Sequence, residues 1–252
     1  PQAVIDILDA PPTPMVVVAP TRTAMLLAEY QAYPTIELLS RPFLKLGGVR
    51  VDPARQSRQR IRQYTGFVIQ DLGDGTEKRV ALPAGARVQL PAWSYDGRRL
   101  AFARDLDDGV ELWVADAATG TAQALGSVRL NDVLGSGGGG VGISATRLLL
   151  VRLLREGRGP APVASRIPTG PHVQETSGKQ SRMATFRDLL ADAHDEALFE
   201  HYATSQLALV DAETGAVTPV GAPGICTSAS FSPDGKLLLV KRLHRPLSYR
   251  GP

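Results

Sequence analysis

Short apolar runs alternate with Asp-Gly and Thr-Gly turns along most of this chain, and the runs repeat. The segment Trp93 to Phe102 reads WSYDGRRLAF, and FSPDGKLLLV follows the same pattern from Phe231 to Val240. In both copies an Asp-Gly turn precedes an apolar run, as expected where Gly supplies a positive φ and Asp bonds its own backbone. The pattern predicts β-strands joined by tight turns.

A second phrase repeats in the same manner. Glu111 to Gly120 reads ELWVADAATG, Gln206 to Gly215 reads QLALVDAETG, and Phe67 to Thr76 reads FVIQDLGDGT as a fainter copy. Each copy predicts a buried strand that ends at an Asp, followed by a Gly turn into another short strand.

The spacing of the copies predicts how the strands are grouped. Asp71 and Asp116 are 45 residues apart (116 − 71), Asp116 and Asp211 are 95 apart (211 − 116), and Asp96 and Asp234 are 138 apart (234 − 96). These separations fit one, two and three periods of roughly 40–50 residues, the length of a four-stranded propeller blade. A β-sandwich is the alternative, but its strands do not require such regular spacing.

We therefore predict an all-β fold, a β-propeller of four-stranded blades, as a single domain over residues 1–252. The chain shows roughly four to five periods, whereas closed propellers have up to eight blades, so we expect an incomplete set from a longer polypeptide. An unclosed ring exposes strand edges, which favours pairing with a second copy and hence a homo-oligomer.

Composition narrows the function classes. With 43% hydrophobic and 21% charged residues the chain is typical of soluble globular proteins, and Arg152 interrupts the longest apolar run, so we expect no membrane span. A net charge of +3 is too small for a nucleic-acid-binding surface. The lone Cys226 excludes an internal disulfide and leaves the compartment open, cytoplasmic or exported to the periplasm.

Longer blocks of sequence resemble a known family. Val4 to Pro14, Ala81 to Asp116, Pro168 to Asp211 and Phe231 to Tyr249 are together similar to the glutamyl endopeptidase subgroup of the prolyl oligopeptidase family of serine peptidases. The resemblance implies an N-terminal propeller followed by an α/β-hydrolase domain that carries the Ser-Asp-His machinery. In such peptidases the propeller covers the active site, filters substrates by size and helps to shape the cleft.

The chain itself has no nucleophile elbow of the form G-x-S-x-G. Its nearest segment, Gly142 to Thr146, ends in Thr where the second Gly is required. We therefore expect no catalytic residue and no cofactor here. The expected partners are a peptide substrate and the hydrolase domain. A stand-alone propeller that binds a protein partner is the alternative function, and a periplasmic scaffold of the Tol type is a third.

Two arginine-rich segments are candidates for substrate binding. The run Arg55 to Tyr64 contributes Arg58, Arg60 and Arg62, and the segment after the last predicted strand contributes Arg242 and Arg245. A guanidinium group binds a carboxylate through two hydrogen bonds, which suits a peptidase that selects Glu. The alternative is a solvated loop, which the charge density by itself favours for the first run.

Two other motifs suggest chemistry but fit structural roles better. Gly135 to Gly142 satisfies G-x-G-x-x-G, yet a strand-like segment follows it instead of a helix, so we predict a connection between strands. Ala193 to Tyr202 reads AHDEALFEHY and predicts a helix with Leu198 and Phe199 facing inward, within an insertion near 184–202. Its His spacing is not that of a metal motif, so we expect no metal. By hypothesis this helix lines the rim that faces the hydrolase domain.

Overall fold

In a computed structural model of the chain, the residues described are 1–135, 142–143, 147–165, 187–232 and 234–249. The helices are α1 (Gln2–Leu8), α2 (Ile36–Ser40) and α3 (Ala193–Ala203). The strands of the first half are β1 (Met15–Val18), β2 (Ala24–Tyr30), β3 (Leu44–Leu46), β4 (Val49–Asp52), β5 (Ser57–Arg58), β6 (Tyr64–Asp71), β7 (Glu77–Arg79), β8 (Arg87–Val88) and β9 (Ala92–Trp93). Those of the second half are β10 (Arg99–Asp105), β11 (Val110–Asp116), β12 (Ala122–Arg129), β13 (Gly142–Ile143), β14 (Leu148–Leu154), β15 (Thr204–Asp211), β16 (Val217–Pro219), β17 (Gly224–Phe231) and β18 (Leu238–Leu243).

The strands form successive antiparallel meanders, which confirms the prediction of propeller blades. Blade 1 is β1-β2-β6-β7, and blade 3 is β13-β14-β15-β16. In blade 2 the short strands β8 and β9 both pair with β10, which is followed by β11 and β12. The hairpin β17-β18 is the first half of a fourth blade. The described residues thus make three blades and a half-blade, and in blade 2 the first strand is divided into β8 and β9.

The repeated Asp-Gly phrase is the hairpin between the first and second strands of a blade. In blade 2 the Ser94 hydroxyl donates to Asp96 at 2.7 Å and accepts from the Arg99 backbone N–H at 2.9 Å. Gly97 has a φ of +68°, in the left-handed region that favours Gly. The half-blade repeats this geometry with Ser232 on Asp234.

The second phrase is the hairpin between the third and fourth strands. The Asp116 carboxylate accepts from the Thr119 backbone N–H at 2.7 Å and from its hydroxyl at 3.0 Å. Asp211 accepts the Glu213 and Thr214 backbone N–H groups in the same position of blade 3. Each repeated Asp therefore caps a turn, and the side chain is needed for the backbone geometry.

The blades pack face to face through three apolar cores. Between blades 1 and 2, the Phe67 and Phe102 rings meet edge to face at 5.3 Å. Between blades 2 and 3, the core is built on fully buried Leu112 and Val151. Between blade 3 and the half-blade, the core is smaller and includes Leu207.

Two insertions leave the blades at one end, which we call the insertion face. The connection from β2 to β6 carries α2 and the small sheet β3-β4-β5, and the connection from β14 to β15 carries α3. Both join the second strand of a blade to its third, so they emerge at the same end. Their apolar residues form a fourth core, which includes Leu46, Val51, Leu198, Phe199 and Tyr202.

Several predicted features can be compared with the structure directly. Leu198 and Phe199 are buried, as expected, and α3 confirms a helix in the second insertion. The structure adds α1, α2 and the sheet β3-β4-β5, which have no counterpart in the repeat. Most of the segment Gly135 to Gly142 lies outside the described residues, as do Ser144, Ala145 and Thr146 of the incomplete elbow.

Candidate site at the insertion face

Arg60 lies in the first insertion and forms an ion pair with a fully buried carboxylate. Its guanidinium binds both oxygens of Asp132, with Nη2 to Oδ1 at 3.1 Å, and Nη2 also donates to the Gly135 carbonyl at 3.2 Å. Asp132 follows β12 at the junction of blades 2 and 3. Arg60 therefore holds the insertion against that junction. Its two terminal guanidinium nitrogens are already used in these contacts.

A second carboxylate shares this network. The side-chain amide of Gln89 donates to Asp105 Oδ1 at 2.9 Å and to Asp132 Oδ2 at 2.7 Å. Burial raises the pKa of Asp105, and the negative charge of Asp132 raises it further, although the Gln89 hydrogen bond acts in the opposite direction. Arg60 thus neutralises one of two neighbouring carboxylates.

The other two candidate arginines of the first run, Arg58 and Arg62, do not join this network. The Arg58 side chain on β5 is exposed, and the Arg62 guanidinium lies over the Tyr30 ring at 4.7 Å from its centroid. Substrate binding by Arg58, Arg60 and Arg62 stays a prediction. The three side chains have separate environments because β5 ends at Arg58 and the chain turns towards blade 1.

Arg242 and Arg245 line a cavity of about 610 Å³ at the insertion face. The cavity lies between the C-terminal half of α3, the start of β17 and the end of β18. Arg245 is ion-paired there, with Nη2 at 2.6 Å from Glu200 Oε2 and Nη1 at 3.7 Å from Glu196 Oε1. It therefore links the segment after β18 to α3.

Glu196 holds the same segment through two further contacts. The Tyr249 hydroxyl donates to Glu196 Oε2 at 2.7 Å, and the Leu247 backbone N–H donates to Oε1 at 3.4 Å. The Tyr249 hydrogen bond lowers the pKa of Glu196, and the charge of Arg245 acts in the same direction. The acidic residues of α3 are thus used in packing, as the structural interpretation of AHDEALFEHY requires.

Two more arginines enter the cavity from the second insertion. Arg155 follows β14 directly and is exposed. Arg158 is half-buried, donates to the His201 carbonyl at 3.1 Å and to Gln56 Oε1, and lies over the Tyr202 ring. Burial lowers the pKa of His201, and the charge of Arg158 lowers it further.

Sequence reasoning missed Arg155 and Arg158, although a signal for Arg155 was present. The strand RLLLVRLL of blade 3 is the repeat equivalent of KLLLVKRL in the half-blade. Residues just past the two strands therefore emerge at the same end of neighbouring blades. Aligning the repeats would have placed Arg155 beside His244, which also lines the cavity.

In the described part of the chain, no three His, Cys, Asp or Glu side chains converge on a point that would hold a metal ion. Within the same residues, no helix has the length and apolar character needed to cross a bilayer.

Comparison with known proteins shows which proteins this chain is similar to. The chain is 38% identical over its whole length to a probable chloroplastic glutamyl endopeptidase of Oryza sativa subsp. japonica, of which it covers 28%. A protein of the same description from Arabidopsis thaliana is also 38% identical over the whole chain, which covers 27% of it. This chain is thus similar, over its whole length, to one segment of each of these proteins. The predicted resemblance to that subgroup is confirmed, and the chain spans less than a third of these relatives.

No family model matches the chain. Among solved structures, it is similar to the β-propeller domain of the Trilobed protease from Pyrococcus furiosus, with 12% identity and a TM-score of 0.46, over 94% of this chain and 51% of that one.

Proposed function

We propose that this chain is the non-catalytic propeller portion of a serine peptidase similar to glutamyl endopeptidases. In this role it gates access to an α/β-hydrolase domain of the same polypeptide and positions peptide substrates for it. The observation that carries the proposal is 38% identity over the whole chain to a glutamyl endopeptidase of which the chain covers 28%. The absence of a G-x-S-x-G elbow in the sequence supports a non-catalytic role for this portion.

The layout of the insertion face supports gating and positioning. The first insertion is joined to the second by Arg50, whose Nε is 3.0 Å from Asp188 Oδ2, and by the contact of Arg158 with Gln56. The described parts of two insertions from separate blades are therefore joined in one rim. A rim with its own buried core is stiff enough to limit the size of a substrate that passes it.

The predicted substrate-binding arginines differ in whether their guanidinium groups are already engaged in ion pairs. The guanidinium group of Arg60 is ion-paired with Asp132, and that of Arg245 is ion-paired with Glu200. Arg242 lines the cavity and forms no ion pair within the described residues. We assign the positioning role first to Arg242, with Arg245 beside it, while Arg58 and Arg62 remain predictions.

The test compares this chain with the longer polypeptide that contains it. A chromogenic peptide with a single Glu should be cleaved by the longer polypeptide, and a serine-directed phosphonate should abolish the cleavage. The 252-residue chain should release no chromophore under the same conditions. Phosphonate-sensitive cleavage by this chain alone would contradict its non-catalytic role. A reading frame that ends at Pro252 would contradict the proposal that a hydrolase domain follows it.

Gating is tested separately by substrate size. The longer polypeptide should cleave a short Glu peptide and leave a folded protein with exposed Glu residues intact. Equal rates on both substrates would show that the propeller does not filter them.

A further inference from the structure

The sequence contains four Asp-Gly pairs, and one of them lies outside the repeated turns. The pairs are Asp74-Gly75, Asp96-Gly97, Asp108-Gly109 and Asp234-Gly235, of which the third belongs to neither repeated phrase. An Asp-Gly bond isomerises more readily than other Asp bonds, because Gly has no Cβ to shield its backbone nitrogen from the preceding carboxyl group. The reaction needs a free nitrogen and a carboxyl group that can turn towards it. The structure separates the four pairs on both requirements.

In the three pairs of the repeated turns, the glycine nitrogen is already engaged. The N–H groups of Gly75, Gly97 and Gly235 each donate to a backbone carbonyl three or four residues earlier, at 3.1, 2.9 and 2.8 Å. All three glycines have positive φ values, +76°, +68° and +69°. A tight turn therefore holds each nitrogen in a backbone hydrogen bond that must break before the nitrogen can react.

The carboxyl groups of the same three pairs are engaged as well. Asp74, Asp96 and Asp234 each accept the backbone N–H two residues later, at 2.9, 3.0 and 3.2 Å. In each case a Ser or Thr hydroxyl donates to the same carboxylate oxygen. These contacts hold the carboxylate towards the turn that it caps, and away from the nitrogen of the glycine beside it.

The pair in the β10-β11 turn has neither restraint. Among the described residues, no group donates a hydrogen bond to the Asp108 carboxylate, and none accepts one from the Gly109 N–H. The nearest charged group is Arg129, whose Nη1 lies 3.7 Å from Asp108 Oδ1, and the Asp108 side chain is 77% exposed. Gly109 also lacks the positive φ of the other three glycines.

We propose that Asp108 is the residue at which this chain isomerises spontaneously. The Gly109 nitrogen forms a bond to Asp108 Cγ, one carboxyl oxygen leaves as water with the amide proton and the carboxyl proton, and a succinimide ring closes. Water then adds to the main-chain carbonyl carbon of Asp108, and the bond from that carbon to the Gly109 nitrogen breaks. The product is isoaspartate, in which the chain continues through Cγ and the former carbonyl carbon becomes a free carboxylate. One water leaves and one is taken up, so no other reactant is needed.

Isomerisation would also disturb a contact of the first insertion. Isoaspartate at position 108 adds one methylene to the backbone beside Asp107. The carboxylate of Asp107 accepts from Arg87 Nη2 of blade 2 at 2.8 Å and lies 3.4 Å from Arg55 Nη2 of the insertion. Its carbonyl accepts from Arg41 Nη2, also of the insertion, at 3.3 Å. A longer turn cannot keep all these contacts, so the modification loosens the insertion from blade 2.

The site is tested by ageing the chain at neutral pH and mapping isoaspartate at all four pairs by mass spectrometry of its peptides. In the folded chain, isoaspartate at Asp108 should exceed that at each other pair by about tenfold, because the other pairs must first break their turn hydrogen bonds. In urea, where the turns are lost, all four pairs should react at comparable rates. An equal or faster reaction at another pair of the folded chain, no reaction at Asp108, or an unchanged preference in urea would overturn the proposal.

A substitution tests the consequence for the insertion. In Gly109→Ala the new Cβ shields the nitrogen and, among the described residues, meets only the flexible side chain of Arg129, at 3.2 Å. Isoaspartate at Asp108 should fall several-fold in this variant. Amide hydrogen exchange over residues 41–55 should become faster in the aged parent and stay unchanged in the equally aged variant. Equal isomerisation in both proteins, or unchanged exchange in the aged parent, would contradict the proposal, and neither measurement depends on peptidase activity.

Discussion

Blades 2 and 3 are built from the same repeat but differ in one connection. In blade 2, β10 and β11 are joined by a short turn over residues 106–109, whereas in blade 3 the chain between β14 and β15 covers residues 155–203. The strand pairing is the same in both, with seven paired positions between the second and third strands. The capped turns at Asp116 and Asp211 are also equivalent.

The comparison shows that the repeat specifies the blade and the connection specifies the site. A connection can lengthen at the insertion face without changing strand register, because it lies beyond the last hydrogen-bonded pair. The cationic cavity forms where the long connection of blade 3 meets the half-blade. Blade 2 has the same framework but no insertion of its own.

The largest effect should come from the link between the first insertion and the junction of blades 2 and 3. Asp132→Asn removes the carboxylate that binds Arg60 and leaves a half-buried cation without its partner. We expect the free energy of unfolding to fall by about 3 kcal/mol, measured by urea denaturation. Asp108→Asn, at an exposed carboxylate of the β10-β11 turn, should change it by less than about 0.5 kcal/mol. Equal values for the two variants would show that the insertion is not anchored through Arg60.

Leu112 and Leu207 occupy the same position of the repeat and test the cores on either side of blade 3. Both are almost fully buried, but Leu112 faces a complete blade and Leu207 faces the half-blade. Leu112→Ala should lower the free energy of unfolding by about 3 kcal/mol, and Leu207→Ala by about 2 kcal/mol. The difference is expected because the smaller core can relax more easily into the space that the removed side chain leaves. A larger loss at Leu207 would contradict the view that the core next to the half-blade is less constrained.

The paired hairpin glycines should show a smaller difference. Gly97 and Gly235 have φ values of +68° and +69°, so alanine at either position is strained by about 1–2 kcal/mol. A Cβ at Gly97 would also lie 2.8 Å from Thr21 Oγ1, whereas no described residue lies within 4 Å of one at Gly235. Gly97→Ala should therefore lower the thermal midpoint more than Gly235→Ala. The same midpoint for both would mean that Thr21 moves aside without cost.

The smallest effect is a change in pH dependence at Asp105. Burial raises the pKa of Asp105 in the folded chain above its ordinary value of 3.8. The folded state then holds this proton more tightly than the unfolded state, so the carboxyl group makes the folded chain less stable as pH rises through the folded pKa. Asp105→Asn removes this term and keeps an acceptor for Gln89. The stability of the variant relative to the parent should increase with pH across that window in urea titrations, whereas a constant difference would contradict the raised pKa.

The blades could be predicted from the sequence because each depends on local chemistry. The Ser94-Asp96 and Thr119-Asp116 contacts each join residues that are no more than three positions apart in the chain. The apolar runs beside these turns form adjacent strands. The spacing of Asp71, Asp116 and Asp211 then gave the period. Such contacts recur wherever the motif recurs, so a single sequence carries enough information to find them.

The candidate site could be predicted only in part. Arg242 and Arg245 do lie at a cavity, but the sequence offered no reason to separate them from Arg60, whose partner Asp132 is 72 residues away. An arginine run looks the same whether its guanidinium groups are free or buried in an ion pair. Ion pairs between residues far apart in the chain depend on which connection lies beside which blade junction. The periodicity of the sequence carries no information about that arrangement.

The sequence by itself thus determined the all-β repeat, its turns and the family resemblance, because hydrophobic alternation and turn residues act over a few neighbouring positions. Only the tertiary structure decided which arginines are neutralised and which line a cavity, because charge balance depends on groups brought together from different blades. Arg60 and Arg242 are chemically the same residue type, and the fold assigns one to a buried ion pair and the other to the cavity wall.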